Sequence, residues 1–524
     1  MARNFTLMLL LGLLAASESA QILGLFAHPG KSHFDFFRPM FVTLAERGHN
    51  ISMYSYFPLK EPVANYTDYV FEGMPVLTDI VDLQVFEKES PLLGQLPYKV
   101  PTFFMLHDWG LRSCKVALNS PLIAQLLSSP LRYDVMILEH FSNDCMAAVA
   151  HLLDAPLIAL SSCAIMPWHY KRMGTPFINP IMPMNFLPYT DQMDFVARLN
   201  NFLHFHIVNA LYNFITQPAT DALISQRFGF GLPPIDEIVK NTSLMLINQH
   251  HSLTGSRPYA PNVVEVGGLQ VGTAKSLPEH LERILEASNQ GVIYISWGSM
   301  VNPSTLSPFK LQALYDAISK LPGYTFVMRM TNETVGEGKP KNLYTFEWMP
   351  QRDLLCHPKV KAFVSHGGLL GTTESVYCGV PMLVMPFYGD QFLNAGAVEQ
   401  RRYGVIVDFK DFDEPHLSQA LGIILSERFA SQMKHSTIAF RERPQAPIEL
   451  AIWWIEHVIA TSGAPLSRSV ARHINWFVYN SLDIYVFCLC STLLCIIILW
   501  QFSKLFKWAW VKCSARSKPK TKKQ

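Results

Sequence analysis

The sequence predicts an α/β protein of two doubly wound domains, each a mostly parallel sheet with helices on both faces, followed by one C-terminal apolar helix. Three observations carry this. Short apolar runs of strand length alternate with amphipathic helical stretches along most of the chain. Pro258, Pro261, Gly267, Gly268 and Gly272 accumulate between residues 251 and 278, and the alternation restarts after them. The length of 524 residues exceeds what one ordinary core accommodates.

In the first domain, expected over residues 21–260, Gln21 to Phe26 reads as an apolar strand. HPGKSHF follows, then an amphipathic helix from about Asp35 to Arg47 that buries Phe37, Met40, Phe41 and Leu44. Gly48 stops it, and Ile51 to Tyr56 completes a βαβ unit. Asp134 to Leu138, Cys145 to Leu153 and Pro156 to Leu160 repeat the order strand, helix, strand. Ala164 to Gln217, rich in Met, Pro and aromatic residues, breaks the rhythm and reads as long loops, with an apolar pocket or a membrane-resting surface as its functional reading. Ligands of such sheets collect at the carboxyl ends of strands, so His28 and His33, in the loop after the first strand, are candidates for proton transfer.

The second domain, expected over 261–465, restarts at Gly291 with a strand at Val292 to Ser296, a helix at Leu306 to Lys320, and strands at Thr325 to Met330 and Leu343 to Glu347. A late helix is expected from Pro444 to Ala460. The most informative stretch is FVSHGGLLGTTESVYCGVPMLVMPFYGDQ at 363 to 391. Phe363 and Val364 enter as a buried strand, and Gly367, Gly368 and Gly371 break it before Thr372 to Cys378 continue as a helix. Such a turn offers free backbone N–H groups and the positive end of a helix dipole to phosphate. His366 adds a side-chain donor to the same anion, and Glu374 stands where carboxylates grip a ribose diol. A second strand, Met382 to Met385, delivers Asp390 and Gln391, an acceptor and an amide suited to sugar hydroxyls.

With this spacing His366, Gly368, Gly371, Glu374, Pro381, Pro386, Asp390 and Gln391 match the signature of the UDP-glycosyltransferase family. The chain resembles that family, in an insect-like form, from about Gln21 to its basic tail. The resemblance implies a GT-B type fold, two Rossmann-like domains facing a cleft, with the acceptor in the first and the UDP-sugar donor in the second. It implies a histidine base in a Ser-His-aromatic context, which Ser32-His33-Phe34 supplies in preference to His28. The family pairs that base with an aspartate. Here the aligned position holds Glu139, with Asp144 five residues on, and both stand as candidates. On the donor side the resemblance has Trp348 stacking on uracil, Gln351 bonding its edge and Ser299 contacting a phosphate, while Arg329 reaches a phosphate or pairs structurally. Leu370 replaces an asparagine of the vertebrate branch, so sugar selectivity does not carry over.

The implied reaction is inverting. His33 takes the proton of an acceptor hydroxyl while its oxygen attacks the anomeric carbon of a hexose, glucose by family flavour, and UDP leaves from the opposite face. Charge on the leaving phosphate would be met by His366, the amides of Gly367 to Gly371 and Ser299, so no metal or cofactor beyond the UDP-sugar co-substrate is expected. The expected acceptor is a small lipophilic molecule, as in detoxification. Asp411-Phe412-Asp413 spells D-x-D but is expected to cap a helix. A UDP-sugar epimerase on the same fold and a non-catalytic binder of UDP-sugar or lipophile are the rival readings.

The ends point to a membrane. Residues 1–20 read as a signal peptide, with Arg3, an apolar stretch from Leu7 to Ala16 and the ending Ser19-Ala20. After a juxtamembrane segment at 466–483, residues 484–502 read as a span. The tail at 503–524 carries Lys504, Lys507, Lys512, Arg516, Lys518, Lys520, Lys522 and Lys523 and no acid, which places it in the cytosol and the bulk of the chain in the lumen. Lys520 and Lys522 resemble a dilysine retrieval signal, so a single-pass endoplasmic reticulum protein is expected. Removing the tail from the net charge of +2 leaves an acidic remainder, which argues against nucleic acid. Asn65, Asn241 and Asn332 stand in glycosylation sequons, as does Asn50 at the start of a strand. Of nine cysteines only Cys114, Cys145, Cys163, Cys356 and Cys378 are lumenal and none forms C-x-x-C, which makes neither a disulfide scaffold nor a zinc site and leaves room for one bridge. A homo-oligomer is left open.

Overall fold

Two parallel sheets organise the chain, each with its strand order reversing at one internal strand. The computed structural model describes residues 19–87, 99–141, 144–330 and 338–516. The signal-like stretch up to residue 18, Asn332, Lys520 and Lys522 lie outside the described residues. The strands are β1 (Gln21–Leu25), β2 (Asn50–Ser55), β3 (Tyr66–Val70), β4 (Val81–Asp82), β5 (Val135–Glu139), β6 (Leu157–Ser161), β7 (Leu244–Ile247) and β8 (Val263–Glu265), then β9 (Val292–Ser296), β10 (Val301–Asn302), β11 (Thr325–Arg329), β12 (Leu343–Phe346), β13 (Val360–Ser365), β14 (Met382–Val384) and β15 (Gly404–Ile406). The first sheet runs β3-β2-β1-β5-β6-β7-β8 and the second β12-β11-β9-β13-β14-β15, all pairs parallel.

The helices used below are α1 (Lys31–Glu46), α2 (Lys99–Leu118), α3 (Phe195–Leu211), α4 (Gln351–Leu355), α5 (Leu369–Cys378), α6 (Gln391–Gln400), α7 (Pro447–Ala460) and α8 (Leu482–Arg516). Strands β5, β6, β7 and β9 are buried at every residue, as a parallel sheet covered on both faces requires.

Four expectations change. Helix α1 begins at Lys31 rather than Asp35, because the apolar stripe of Phe37, Phe41 and Leu44 extends back to the buried Phe34, whose ring packs edge-on against Phe26 at 5.4 Å. His33 therefore stands in the first helical turn and not in a loop. The stretch 164–217 is irregular only in its first half. Asp194 Oδ1 accepts from Ala197 N at 2.8 Å and starts α3, which continues through a π turn at Tyr212–Thr216. This helix leaves Phe195, Val196, Leu199, Phe202, Leu203 and Ile207 exposed. Strand β8 closes the edge of the first sheet, so the segment expected as a linker is partly structured. Finally, two disulfides form rather than one, Cys114–Cys145 and Cys356–Cys378, because the fold brings together cysteines whose spacing carries no pairing signal.

The halves are interlocked. Helix α7 returns to the first half, where Ala451, Ile452, Ile455 and Val458 join the cluster of Ile22, Phe34 and Phe41. Each fully buried Ile there contributes about 1.5–3 kcal/mol. In the other direction, β4 pairs with β10, and Phe86 packs on Phe387 at 5.5 Å between centroids. The chain divides into two compact units, Met1–Ser469 and Val470–Gln524. In the second, α8 contains the one helix among the described residues that is long and apolar enough to cross a membrane, Leu482–Ser514, with a mean hydropathy of 2.5 in its most apolar window.

Candidate active site

Ligands of open α/β sheets bind in the crevice outside the strand ends where the order reverses. In the first sheet that point lies between β1 and β5, and in the second between β9 and β13. Both crevices open into one cavity of about 430 Å³ lined by the two halves. Of the sequence candidates, His33, Ser299, Arg329, Trp348, Gln351, His366, Gly368, Gly371, Glu374, Asp390 and Gln391 line it.

On the first-half wall, the register of Leu25 with Leu138 brings the end of β5 beside the start of α1. His33 Nδ1 lies 2.7 Å from Glu139 Oε1, and Ser162 Oγ lies 2.8 Å from the same nitrogen. An ionised carboxylate only accepts, so Nδ1 carries the proton and Nε2 keeps its lone pair. Burial works to lower the His33 pKa, but the charge of Glu139 and the hydrogen bond to it outweigh burial and the net shift is upward. Glu139 is the mirror case: burial raises its pKa, and His33 more than offsets that. The Phe141 ring meets His33 edge to face at 4.5 Å and limits its rotation. His28 also lines the cavity, pushed down to about 3 by burial and the nearby His33.

Asp144 is not part of this corner. Its carboxylate is taken by His140 Nδ1 at 2.7 Å, by Arg172 and by Tyr212, and it is 1 % exposed. Of the two candidates, Glu139 contacts His33, whereas Asp144, five residues beyond the strand end, is bound by partners in the core.

On the opposite wall, β13 ends at Ser365 and the chain turns through His366, Gly367 and Gly368 into α5, which starts at Leu369 rather than Thr372. The N–H groups of the first turn have no intrahelical acceptor. The His366 ring is held between two glycines: a Cβ on Gly298 would lie 2.7 Å from it and one on Gly368 2.4 Å. Burial first, then the charge of Arg329, push His366 down to about 4, so at neutral pH it is a neutral N–H donor and not a cation. Gly367 has a different part. Its N–H donates to Ser365 Oγ at 3.1 Å, so that amide is spent, and its φ of +81° with Val384 close by makes it a turn former.

Tyr294, Gln351 and Glu374 form a hydrogen-bond relay in the cavity wall. Gln351 Nε2 donates to Glu374 Oε2 at 2.8 Å, and Tyr294 donates to Gln351 Oε1 at 3.3 Å. Burial pushes Glu374 up to about 7, with the Gln351 bond opposing. Trp348 lines the cavity and is 61 % exposed, so it is not a core aromatic. Asp390 is held by Asn394 at 3.1 Å, with burial raising its pKa. Gln391 Oε1 accepts from Phe387 N and Tyr388 N at 2.8 and 3.1 Å, so its carbonyl shapes the loop.

Arg329 lines the cavity and is also paired within the protein. It forms a two-pronged pair with Asp79 at 2.9 and 2.7 Å and donates to Gly298 O at 2.8 Å, tying the strap before β4 to the second half. Ser299 lines the cavity, and its carbonyl accepts from Asp79 N at 2.9 Å. The D-x-D pair stays remote from the cavity, and Asp413 Oδ1 caps a helix through His416 N at 3.0 Å. Asn65 and Asn241 are exposed.

Sequence reasoning missed Ser162, one residue past β6, and Phe141, two past β5; the strand-end rule that found His33 reaches both. It also missed α2, whose Met105, Leu106 and Trp109 join Met166 and Phe186 as the apolar part of the cavity wall.

Comparisons with known proteins agree with this architecture. The model of the family described as "UDP-glucoronosyl and UDP-glucosyl transferase" matches residues 94–518. The chain is 32% identical to UDP-glycosyltransferase UGT5 of Dactylopius coccus, over 92% of this chain and 91% of that one. It is 29% identical to UDP-glucuronosyltransferase 1A3 of Rattus norvegicus, over 77% and 73%. Among solved structures, a UDP-glucose: anthocyanidin 3-O-glucosyltransferase in complex with UDP superposes with a TM-score of 0.52 at 17% identity, covering 85% of this chain and all of that one. The glycotransferase of kitacinnamycin gives 0.56 at 16%, covering 84% and 98%. The fold is therefore GT-B, and the family match over most of the length means that this chain belongs to the UDP-glucuronosyl and UDP-glucosyl transferases and transfers sugar from a UDP-sugar to small acceptors.

Proposed function

We propose that this transferase moves glucose from UDP-glucose to a hydroxyl of a small lipophilic acceptor, with His33 as general base and Glu139 as its orienting partner. One observation carries the proposal: His33 has its Nδ1 on Glu139 and lines the same cavity as the glycine turn at 366–368. A base held in one tautomer, across a cleft from a phosphate site, is what in-line displacement at an anomeric carbon needs. Lipophilicity of the acceptor rests on the apolar wall of Met105, Leu106, Trp109, Met166 and Phe186. Glucose rather than a sugar acid is favoured because the carboxylate of Asp390 lines the cavity and Arg329 is engaged by Asp79.

The donor phosphates would be met by the first-turn amides of α5 and the neutral N–H of His366, with Trp348, Gln351 and Glu374 at the nucleoside end. The chain would work from the endoplasmic reticulum membrane, held by α8 with its catalytic part lumenal, a topology that leaves Asn65 and Asn241 open to glycosylation. A donor and acceptor screen on microsomes, with UDP-glucose against UDP-glucuronic acid and products identified by mass spectrometry, tests the reading. Glucosides are expected, and activity retained by His33→Ala would reject the base.

A further inference from the structure

The Cys356–Cys378 bridge lies directly behind the nucleoside end of the cleft. Helix α4 is only five residues long, too short to be stable by itself, and Cys356 is the residue that ends it. Its position therefore depends on how it is attached to α5. At its N-terminal end the attachment is polar and tight: Gln351 donates to Glu374, and a Cβ on Gly371 would lie 3.2 Å from Gln351 Nε2. At its C-terminal end the attachment is covalent, through Cys378, four residues after Glu374 on α5. The ring closed by the bridge contains β13, the turn at 366–368 and all of α5. Gln351 and Glu374, the two side chains of the nucleoside relay, thus sit on helices locked together one helical turn away.

The two bridges differ in access. Cys114 and Cys145 are both 0% exposed, whereas Cys356 and Cys378 are only partly buried. Attack by a thiolate requires a reachable sulfur, so a dithiol opens the second bridge first.

We propose that Cys356–Cys378 is a positioning bridge for donor binding and a redox-sensitive one: opening it weakens the hold on the nucleoside diphosphate while leaving the chemical step and acceptor binding in place. The proposal rests on the assignment of this corner to the UDP-sugar. Reduction transfers two electrons and two protons from a dithiol, which itself becomes a disulfide, and leaves Cys356 and Cys378 as thiols.

The test uses the full chain in detergent, with UDP binding measured by calorimetry and turnover measured with UDP-glucose. Brief treatment with dithiothreitol, followed by alkylation and mass spectrometry, should label Cys356 and Cys378 before Cys114 and Cys145. The Kd for UDP and the KM for UDP-glucose should then rise about ten-fold, the scale of one displaced hydrogen-bonding pair, with kcat and the acceptor KM within about two-fold. Cys356→Ala/Cys378→Ala should reproduce that rise and be indifferent to the dithiol, whereas Cys114→Ala/Cys145→Ala should lose thermal stability with an unchanged Kd. Combined with Gln351→Ala, the loss of the bridge should add less than its separate effect, because both act on the same contact. If the Cys356/Cys378 variant does not fold, the briefly reduced native protein gives the same readout. An unchanged Kd after the bridge is opened overturns the proposal. Failure of the untreated protein to bind UDP would instead overturn the donor-site assignment beneath it.

Discussion

His33 and Glu139 stand 106 residues apart in sequence, yet His33 Nδ1 and Glu139 Oε1 are 2.7 Å apart at the point where the first sheet reverses its strand order. Parallel pairing of β1 with β5 makes this contact, since it brings the exits of the two strands together at one rim. Glu139 is the terminal residue of β5, and from there its carboxylate reaches the first turn of α1.

Glu139→Gln should keep the packing and remove the charge. kcat should fall by about 10²–10⁴-fold, the range of a general-base contribution, with the Kd for UDP unchanged. The sign of the pH effect follows from the upward shift of His33. Only the neutral imidazole accepts a proton, so kcat/KM of the native enzyme should rise with pH through an ionisation above the ordinary 6.5 of histidine. In the Gln variant the residual activity should show that ionisation at lower pH, because burial is no longer opposed by the carboxylate. A pH profile with the same midpoint in both proteins would remove Glu139 from the base.

Asp144→Asn tests the other carboxylate, and its effect should be on stability. Arg172 is 3 % exposed and draws its compensating charge from the buried Asp144 first and from the partly exposed Asp236 at 3.1 Å second. Breaking a buried pair by neutralising one partner costs about 3–5 kcal/mol, so the midpoint of chemical denaturation should drop markedly. Turnover per folded molecule should stay near the native value, and a selective loss of kcat with native stability would contradict the assignment.

The sequence showed more of the proposed donor wall than of the proposed acceptor wall, for a physical reason. The donor turn is local: β13, the glycines and α5 are consecutive, so spacing alone places His366, Gly368 and Glu374 on one face. The base corner is assembled from the ends of β1, β5 and β6, and the rivalry between Glu139 and Asp144 is decided only by which way each side chain leaves the strand end. The acceptor wall draws on α2, whose Met105, Leu106 and Trp109 look like any apolar stripe until the fold turns them toward the cavity. Arg329 was readable as a strand-end cation, but its partner Asp79 comes from a strap that crosses between the halves.

Trp348→Ala should weaken UDP binding by about 1–3 kcal/mol, the value of stacking one base on an aromatic ring. Trp348→Phe should retain most of the affinity. Because the indole is 61 % exposed and adds little to the core, melting temperatures should stay close to native in both. Calorimetry with UDP reads the first effect. Equal affinity in native and Ala proteins would show that uracil does not rest on this face.

Gly368→Ala places a methyl group where the His366 ring now lies, 2.4 Å from its Nε2. Gly368 has an extended backbone, φ −61° and ψ 137°, which alanine adopts freely, so the consequence is steric and not conformational. The ring also lies close to Gly298, where a Cβ would stand 2.7 Å from it, and it is expected to rotate out of the turn. Overpacking of this kind costs about 1–3 kcal/mol and moves the imidazole donor proposed for the phosphates. UDP affinity should fall by more than stability does, and uridine, which lacks phosphates, should bind native and variant proteins alike. A parallel loss of uridine binding would mean that the methyl group collapses the whole cleft rather than the phosphate turn.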